Sequence, residues 1–316
     1  MGLDILFFVV ALTILLIAAK YFTEAAERIG LAMHMSPFMV GVVIVAVGTS
    51  LPELIAGIFA STSGKTELVI GNVIGANVSN IFLILGVTSL ASRKSIHLGE
   101  EYIFIDLHFM LGSSAMLVLF LMDGTITWIE GVLLLVGFVV YQVYLARSEK
   151  PEAVHTLTEV DQEELKRTFP WKDVAIVILA ATGVFFGAKY TVESVISIAT
   201  SVGVNEAILG LTAMSIGTTL PELTVSIAAA RAGKPEIAVG NILGSCIFNA
   251  FSVCGVTSLI HPISLPEEIH WLAISFLITA SVFFYLLSQD KKVSRFEGML
   301  FLLFYIIFVL KIAHIA

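Results

Sequence analysis

Glu53 and Glu222 each follow a proline inside a run of apolar, glycine and hydroxyl-bearing residues. The first run is "GTSLPEL", Gly48 to Leu54, and the second is "GTTLPEL", Gly217 to Leu223. Read as a helix, the first places Thr49 and Ser50 four and three residues before Glu53, so three oxygens share one face. Pro52 has no amide hydrogen, and its ring opposes the carbonyl four residues back, that of Gly48. The spacing therefore predicts a broken helix with freed carbonyls around Val47 to Thr49. In an apolar setting such carbonyls need protein or a wet cavity to satisfy them. Hydroxyls, a carboxylate and carbonyls together make a cage of hard oxygen donors, suited to Ca²⁺ or Na⁺ and poorly suited to soft metals. Thr218, Thr219, Pro221 and Glu222 repeat the pattern. The plainer reading is a proline-kinked helix whose glutamate is protonated or hydrogen-bonded and whose hydroxyls bond back to their own helix. A charge at the centre of a membrane helix costs about 2.5–3.5 kcal/mol. Bearing that cost twice at matching positions favours a ligand.

A second shared segment runs "GNVIGANVSN" from Gly71 and "GNILGSCIFN" from Gly240. Gly71, Gly75, Gly240 and Gly244 form small-xxx-small patterns that let helices approach closely. Asn80 and Asn249 end the segments, one turn after Ala76 and Ser245. A buried amide needs partners, and each of these can offer an oxygen to a cation or a hydrogen to a carboxylate. Asn72 and Asn241 are expected to cap or pin helix starts. Two other matches carry no function. "GKT" at Gly64 lacks the spacing and preceding strand of a phosphate loop. "NVS" at Asn77 fits a glycosylation sequon but falls inside an apolar span.

The elements that must position these residues are membrane helices. The chain has 316 residues, of which 58% are hydrophobic and 13% charged. A soluble domain would carry roughly a quarter charged residues. Apolar blocks of the length needed to cross a bilayer fall at 3–21, 37–61, 70–91, 102–121, 126–146, 172–192, 204–230, 236–259, 268–287 and 296–314. The expectation is an all-α polytopic membrane protein of ten transmembrane helices. Residues 1–147 form a first group of five, 148–171 a polar linker, partly helical around "EVDQEELKR", and 172–316 a second five. With the amino terminus outside, only Lys65, Lys189 and Lys311 of the 17 basic residues fall outside. The positive-inside rule then puts the linker in the cytoplasm and both termini outside. The first span has no basic leader and carries Asp4, so it reads as retained rather than cleaved.

One offset, 53 to 222, aligns the two groups without a gap over a long stretch, and about half of the positions from Gly48 to Leu90 match their partners. Five spans is an odd number, so the second group enters the membrane inverted. Inverted repeats with interrupted helices point to a secondary transporter whose site lies at the repeat interface. A cation channel would place its carboxylates around a continuous pore, usually with oligomeric symmetry, whereas this pseudo-symmetry closes within one chain. A monomer is therefore the expected functional unit. No nucleophile–base pair or organic-cofactor motif suggests an enzyme, and no basic patch suggests nucleic acid. Cys246 and Cys254 read as filler, without a disulfide or metal framework. The histidines, such as His97 and His261, read as interfacial.

The paired "GTSLPE" and "GN-x-x-G-x-x-x-x-N" segments resemble the α-repeats of the cation/Ca²⁺ exchanger superfamily, most closely prokaryotic Na⁺/Ca²⁺ exchangers. The resemblance covers nearly the whole chain. It implies exchange of Na⁺ for Ca²⁺ across the prokaryotic plasma membrane, with Glu53 and Glu222 as Ca²⁺ carboxylates and the carbonyls of Thr49 and Thr218 completing that coordination. Thr49, Ser50, Thr218, Thr219 and Ser245 would supply Na⁺ oxygens, with backbone at Ala46 and Ser215. A short first helix in each half would slide against the core. Ala76 stands where the family often has serine, which removes one Na⁺-ligand hydroxyl and leaves H⁺/Ca²⁺ exchange as the alternative. Asn249 stands where K⁺-dependent members carry aspartate, and the "GNA-x-E" signature of the H⁺/Ca²⁺ branch is absent.

Overall fold

The computed structural model describes residues 2–33, 35–92, 96–97, 106–148, 170–201, 206–290 and 292–315. They form ten principal helices: α1 (Gly2–Ala32), α2 (Pro37–Thr62), α3 (Thr66–Ala91), α4 (Asp106–Phe120) and α5 (Trp128–Ser148), then α6 (Trp171–Ser201), α7 (Glu206–Arg231), α8 (Pro235–Ile260), α9 (Glu267–Ser288) and α10 (Arg295–Ile315). Seven of the helices searched among the described residues are long and apolar enough to cross a membrane. The protein is all-α and polytopic. The linker expected to be partly helical lies outside the described residues, apart from its edges.

Local sequence explains the corners. Ser36 caps α2 by accepting the Met39 amide at 3.2 Å, and Pro37 takes the first helical position, where a missing N–H is harmless. The α2–α3 turn closes on Gly64 at φ +71°, and the α7–α8 turn on Gly233 at φ +81°. At each, the next residue's amide reaches back past the glycine: Lys65 to the Ala60 carbonyl at 2.9 Å, Lys234 to that of Ala229 at 3.0 Å. That is the left-handed glycine stop of a helix. The "GK" pairs are turn chemistry.

The two halves are related by a pseudo-two-fold axis, visible where corresponding residues touch each other. Asn77 Nδ2 donates to the carbonyl of Cys246, its partner 169 residues on, at 3.2 Å. Ser281 Oγ also bonds Ser114 Oγ across the halves at 2.9 Å, at a spacing of 167 rather than 169 residues. Two residues at matched positions can meet only on the axis. Four two-residue strands obey the same exchange. β1 (Ile96–His97) pairs antiparallel with β4 (Lys292–Val293), and β2 (Thr125–Ile126) with β3 (Ile263–Ser264), so each ladder takes one strand from each half. α8 is enclosed by the bundle from Ile237 to Gly255, while α1, α5 and α10 expose rows of large apolar side chains.

Two expectations about these helices fail. The first helix of each half is not short: α1 and α6 have 31 residues each, about 46 Å at the rise of an α-helix. Hydropathy ends the first span near Lys20 because Glu24, Glu27 and Arg28 follow. The helix continues because Phe22, Ala25, Ala26 and Ile29 keep a buried stripe at helical spacing. Small residues bring α1 and α6 together, and a Cβ on Gly187 would lie 2.9 Å from Leu15 Cα. The pair is tied near both ends, by Arg28 Nε to Asp173 at 2.7 Å and by Ser197 Oγ to Asp4 at 2.8 Å. These are matched positions of the repeat.

The second failed expectation is the break at Pro52. The α-helical part of α2 runs unbroken from Ala46 to Thr62 through Pro52, and α7 runs through Pro221. The widened turn lies upstream instead, as a π segment over Val40–Val45. Proline removes one hydrogen bond without forcing the chain to part when neighbouring helices hold it. Two further π segments, Asn80–Ile84 and Asn249–Val253, occupy matched positions in α3 and α8.

Candidate cation site

Four helix segments converge at mid-bundle: the "GTSLPEL" stretch of α2, the "GTTLPEL" stretch of α7, and the middles of α3 and α8. Helical spacing turns Thr49, Ser50 and Glu53 inward together, and all three are buried, as are Thr219 and Glu222 opposite. Ser50 Oγ lies 3.1 Å from Glu222 Oε1 and 2.9 Å from Ser245 Oγ. Ser50 has one hydroxyl hydrogen, so when it donates to Glu222 the Ser245 hydroxyl must donate to Ser50. A glutamate of the second half is thus held by a serine of the first, itself backed by a serine of the second.

No such chain reaches Glu53. Ala76 takes the place of Ser245 in the first half and carries only a methyl group. Both Glu53 oxygens are buried with no hydrogen-bond donor, and so are Glu222 Oε2, Asn80 Oδ1 and Asn249 Oδ1. Ser50, three residues before Glu53, bonds Glu222 Oε1, so the two carboxyl groups belong to one locus. Buried polar groups in native proteins are almost always paired, and buried charges are paired or hold a metal. Five bare acceptors at one locus are what a cation would satisfy. No group of three or more His, Cys, Asp or Glu occurs among the described residues. The available set is two carboxylates and neutral oxygens, which fits Na⁺ or Ca²⁺ better than a transition metal.

Around this locus the two threonines are fixed symmetrically. Thr49 Oγ1 donates to Asn241 Oδ1 at 3.1 Å, and Thr218 Oγ1 to Asn72 Oδ1 at 3.0 Å. Asn241 Nδ2 in turn reaches Ser226 Oγ at 3.0 Å and the Glu222 carbonyl at 3.4 Å. Asn72 and Asn241 therefore do not cap helix starts. They sit six residues past the starts of their helices, where the first-turn amides are out of reach, and bridge the halves instead. The Ala46 carbonyl lies 3.4 Å from Thr49 Oγ1. Ser215 lies on α7, but its side chain is outside those described. Gly41 and Gly240 make the crossing of α2 and α8 possible: a Cβ on Gly240 would stand 2.3 Å from the Phe38 carbonyl oxygen.

A family model described as "Sodium/calcium exchanger protein" matches residues 3–147 and 172–312. The chain belongs to the sodium/calcium exchanger family. It is 29% identical over 351 aligned positions to the sodium/calcium exchanger MaX1 of Methanosarcina acetivorans, covering 99% of each chain. It is 31% identical over 293 positions to the inner membrane protein YrbG of Escherichia coli, covering 90% of this chain and 88% of the relative. Among solved structures, the sodium-calcium exchanger NCX_Mj superposes with a TM-score of 0.83 at 28% identity, covering 96% of this chain and 97% of the other.

Two residues beside this candidate site escaped the sequence reading. Cys246, read as filler, faces the Asn77 carbonyl with its thiol at 3.9 Å. Asn77, read only as a failed sequon, accepts from Asn249 Nδ2 at 3.3 Å. The available signal was the repeat itself, since 77 and 246 are matched positions flanked by matched site residues.

Proposed function

We propose that this chain is a Na⁺/Ca²⁺ antiporter of the prokaryotic plasma membrane, working by alternating access with Ca²⁺ held between Glu53 and Glu222. The observation that carries the reading is the set of bare, buried acceptor oxygens on Glu53, Glu222, Asn80 and Asn249. Thr49 and Thr218 would complete the Ca²⁺ shell through their carbonyls. Ser50, Thr219 and Ser245, with backbone at Ala46 and Ser215, would take Na⁺.

Charge explains the coupling. Two carboxylates neutralise one Ca²⁺, so the loaded site can be enclosed in a low-dielectric interior. Two uncompensated carboxylates cannot be enclosed without a cost of several kcal/mol. Sodium ions must therefore refill the site before the return, and an inward Na⁺ gradient drives Ca²⁺ out. When Na⁺ enters, Ser245, which donates, keeps two lone pairs for an ion, and Ser50, which accepts one hydrogen bond, keeps one. The test is Ca²⁺ flux in vesicles under separate ion gradients.

Proton coupling is the second reading, favoured by one observation. Ala76 deprives Glu53 of the serine backing that Ser245 gives Glu222 through Ser50. A proton on Glu53 would neutralise it without any hydroxyl ligand. Ala76→Ser discriminates between the readings. Under Na⁺ coupling it lowers the Na⁺ concentration for half-maximal Ca²⁺ release, by about tenfold at most for one added oxygen ligand. Ser245→Ala moves it the other way. Unchanged Na⁺ dependence together with pH-driven flux would favour protons.

The basic-residue distribution places the 148–171 linker in the cytoplasm and both termini outside. An impermeant thiol reagent on intact cells should then label Ala316→Cys and spare Ser148→Cys. The reverse pattern would invert the topology.

A further inference from the structure

Asn77 and Cys246 occupy the same position in the two halves and meet on the pseudo-two-fold axis. Asn77 spends its Nδ2 on the Cys246 carbonyl at 3.2 Å, which leaves Oδ1 to accept Asn249 Nδ2 at 3.3 Å. The amide cannot be turned over. Flipped, it would set its oxygen against the carbonyl oxygen and its nitrogen against the Asn249 nitrogen. Asn249 is fixed in consequence: its nitrogen is occupied, and its Oδ1 is the buried acceptor without a donor. On the other side of the axis the Cys246 thiol faces the Asn77 carbonyl at 3.9 Å, and Asn80 Oδ1 is likewise bare.

An asparagine can present either an oxygen or two N–H donors to a site, and only the oxygen binds a cation. We propose that Asn77 is a positioning residue, gripping the Asn249 amide of the other half by its nitrogen so that Asn249 Oδ1 is presented to the ion. The proposal rests on Asn249 belonging to the ion site. The Cys246 carbonyl fixes the orientation of Asn77 in turn. A merely structural Asn77 would add its loss to that of Asn249 rather than share it.

The experiment titrates purified protein with Ca²⁺ and, separately, with Na⁺, reading ion-dependent thermal stabilisation. Asn249→Ala and Asn77→Leu should each raise the half-saturating concentration of at least one ion by about tenfold, the effect of one lost good hydrogen bond or ligand. Their double variant should be no weaker than Asn249→Ala alone, since a grip on an absent amide does nothing. Additive loss in the double variant would overturn the proposal. If Asn249→Ala itself is silent, the ligand reading at Asn249 fails and the proposal falls with it. If Asn249→Ala is harmful while Asn77→Leu is silent, only the positioning role is lost. Should Asn77→Leu not fold, Asn77→Ala, which adds no bulk, replaces it in the cycle with the same expected outcomes.

Discussion

Glu53→Gln and Glu222→Gln are each expected to abolish Ca²⁺ exchange while leaving a folded protein. The amide keeps the shape and one acceptor oxygen but removes half of the charge that neutralises the ion. Breaking a buried ion pair by removing one partner costs about 3–5 kcal/mol, so Ca²⁺ affinity should fall about 100-fold or more. The apo protein should not suffer, because both Glu53 oxygens and Glu222 Oε2 lack a donor. Removing a bare buried charge relieves the empty site, and the melting temperature without ions should stay level or rise. Glu222→Gln also loses a charge-assisted bond from Ser50, so its gain should be the smaller. Wild-type Ca²⁺ uptake by either purified variant would sink the assignment.

The second large effect is on packing. Gly240→Ala would drive a methyl group to 2.3 Å from the Phe38 carbonyl oxygen and 3.0 Å from the Val42 nitrogen. Both are backbone atoms of α2, so no side chain can swing aside. Overpacking of this kind costs about 1–3 kcal/mol or more. Here it also pushes Asn241, the next residue, away from Thr49. Gly240→Ala should therefore lower both the melting temperature and Ca²⁺ affinity. Gly112→Ala serves as control: that glycine is exposed on α4, and an added Cβ has no neighbour within 4 Å. Because alanine favours a helix, this control should be neutral or slightly stabilising. Equal losses from the two substitutions would contradict the close crossing of α2 and α8 as the cause.

How much of this was legible in the sequence depended on whether a residue broke a local rule. Glu53 and Glu222 stood out because a carboxylate beside a proline contradicts an apolar helix, and it did so twice at a fixed offset. Ala76 stood out only against its partner Ser245. By contrast, Asn72 and Asn241 obey local rules well enough to pass for caps, and their bonds to Thr218 and Thr49 cross between halves. No periodicity within one helix encodes such a contact. Cys246 resembled its apolar neighbours for the same reason, since its role depends on what faces it across the axis. The lengths of α1 and α6 were hidden because hydropathy counts Glu24, Glu27 and Arg28 against a span without noticing the buried stripe beside them. The π segments at Asn80–Ile84 and Asn249–Val253 have no residue type that marks them, yet their recurrence at matched positions suggests that the repeat conserves backbone geometry beneath diverged side chains.

The central claim is that Na⁺ replaces Ca²⁺ at a site built by two inverted halves. It is tested most directly by reconstituting the purified protein into liposomes and following radiolabelled Ca²⁺ uptake, driven separately by an outward Na⁺ gradient and by an outward proton gradient. The account predicts rapid uptake under the Na⁺ gradient, absent in Glu53→Gln, and little under the pH gradient alone. Uptake that follows the pH gradient and ignores Na⁺ would contradict it.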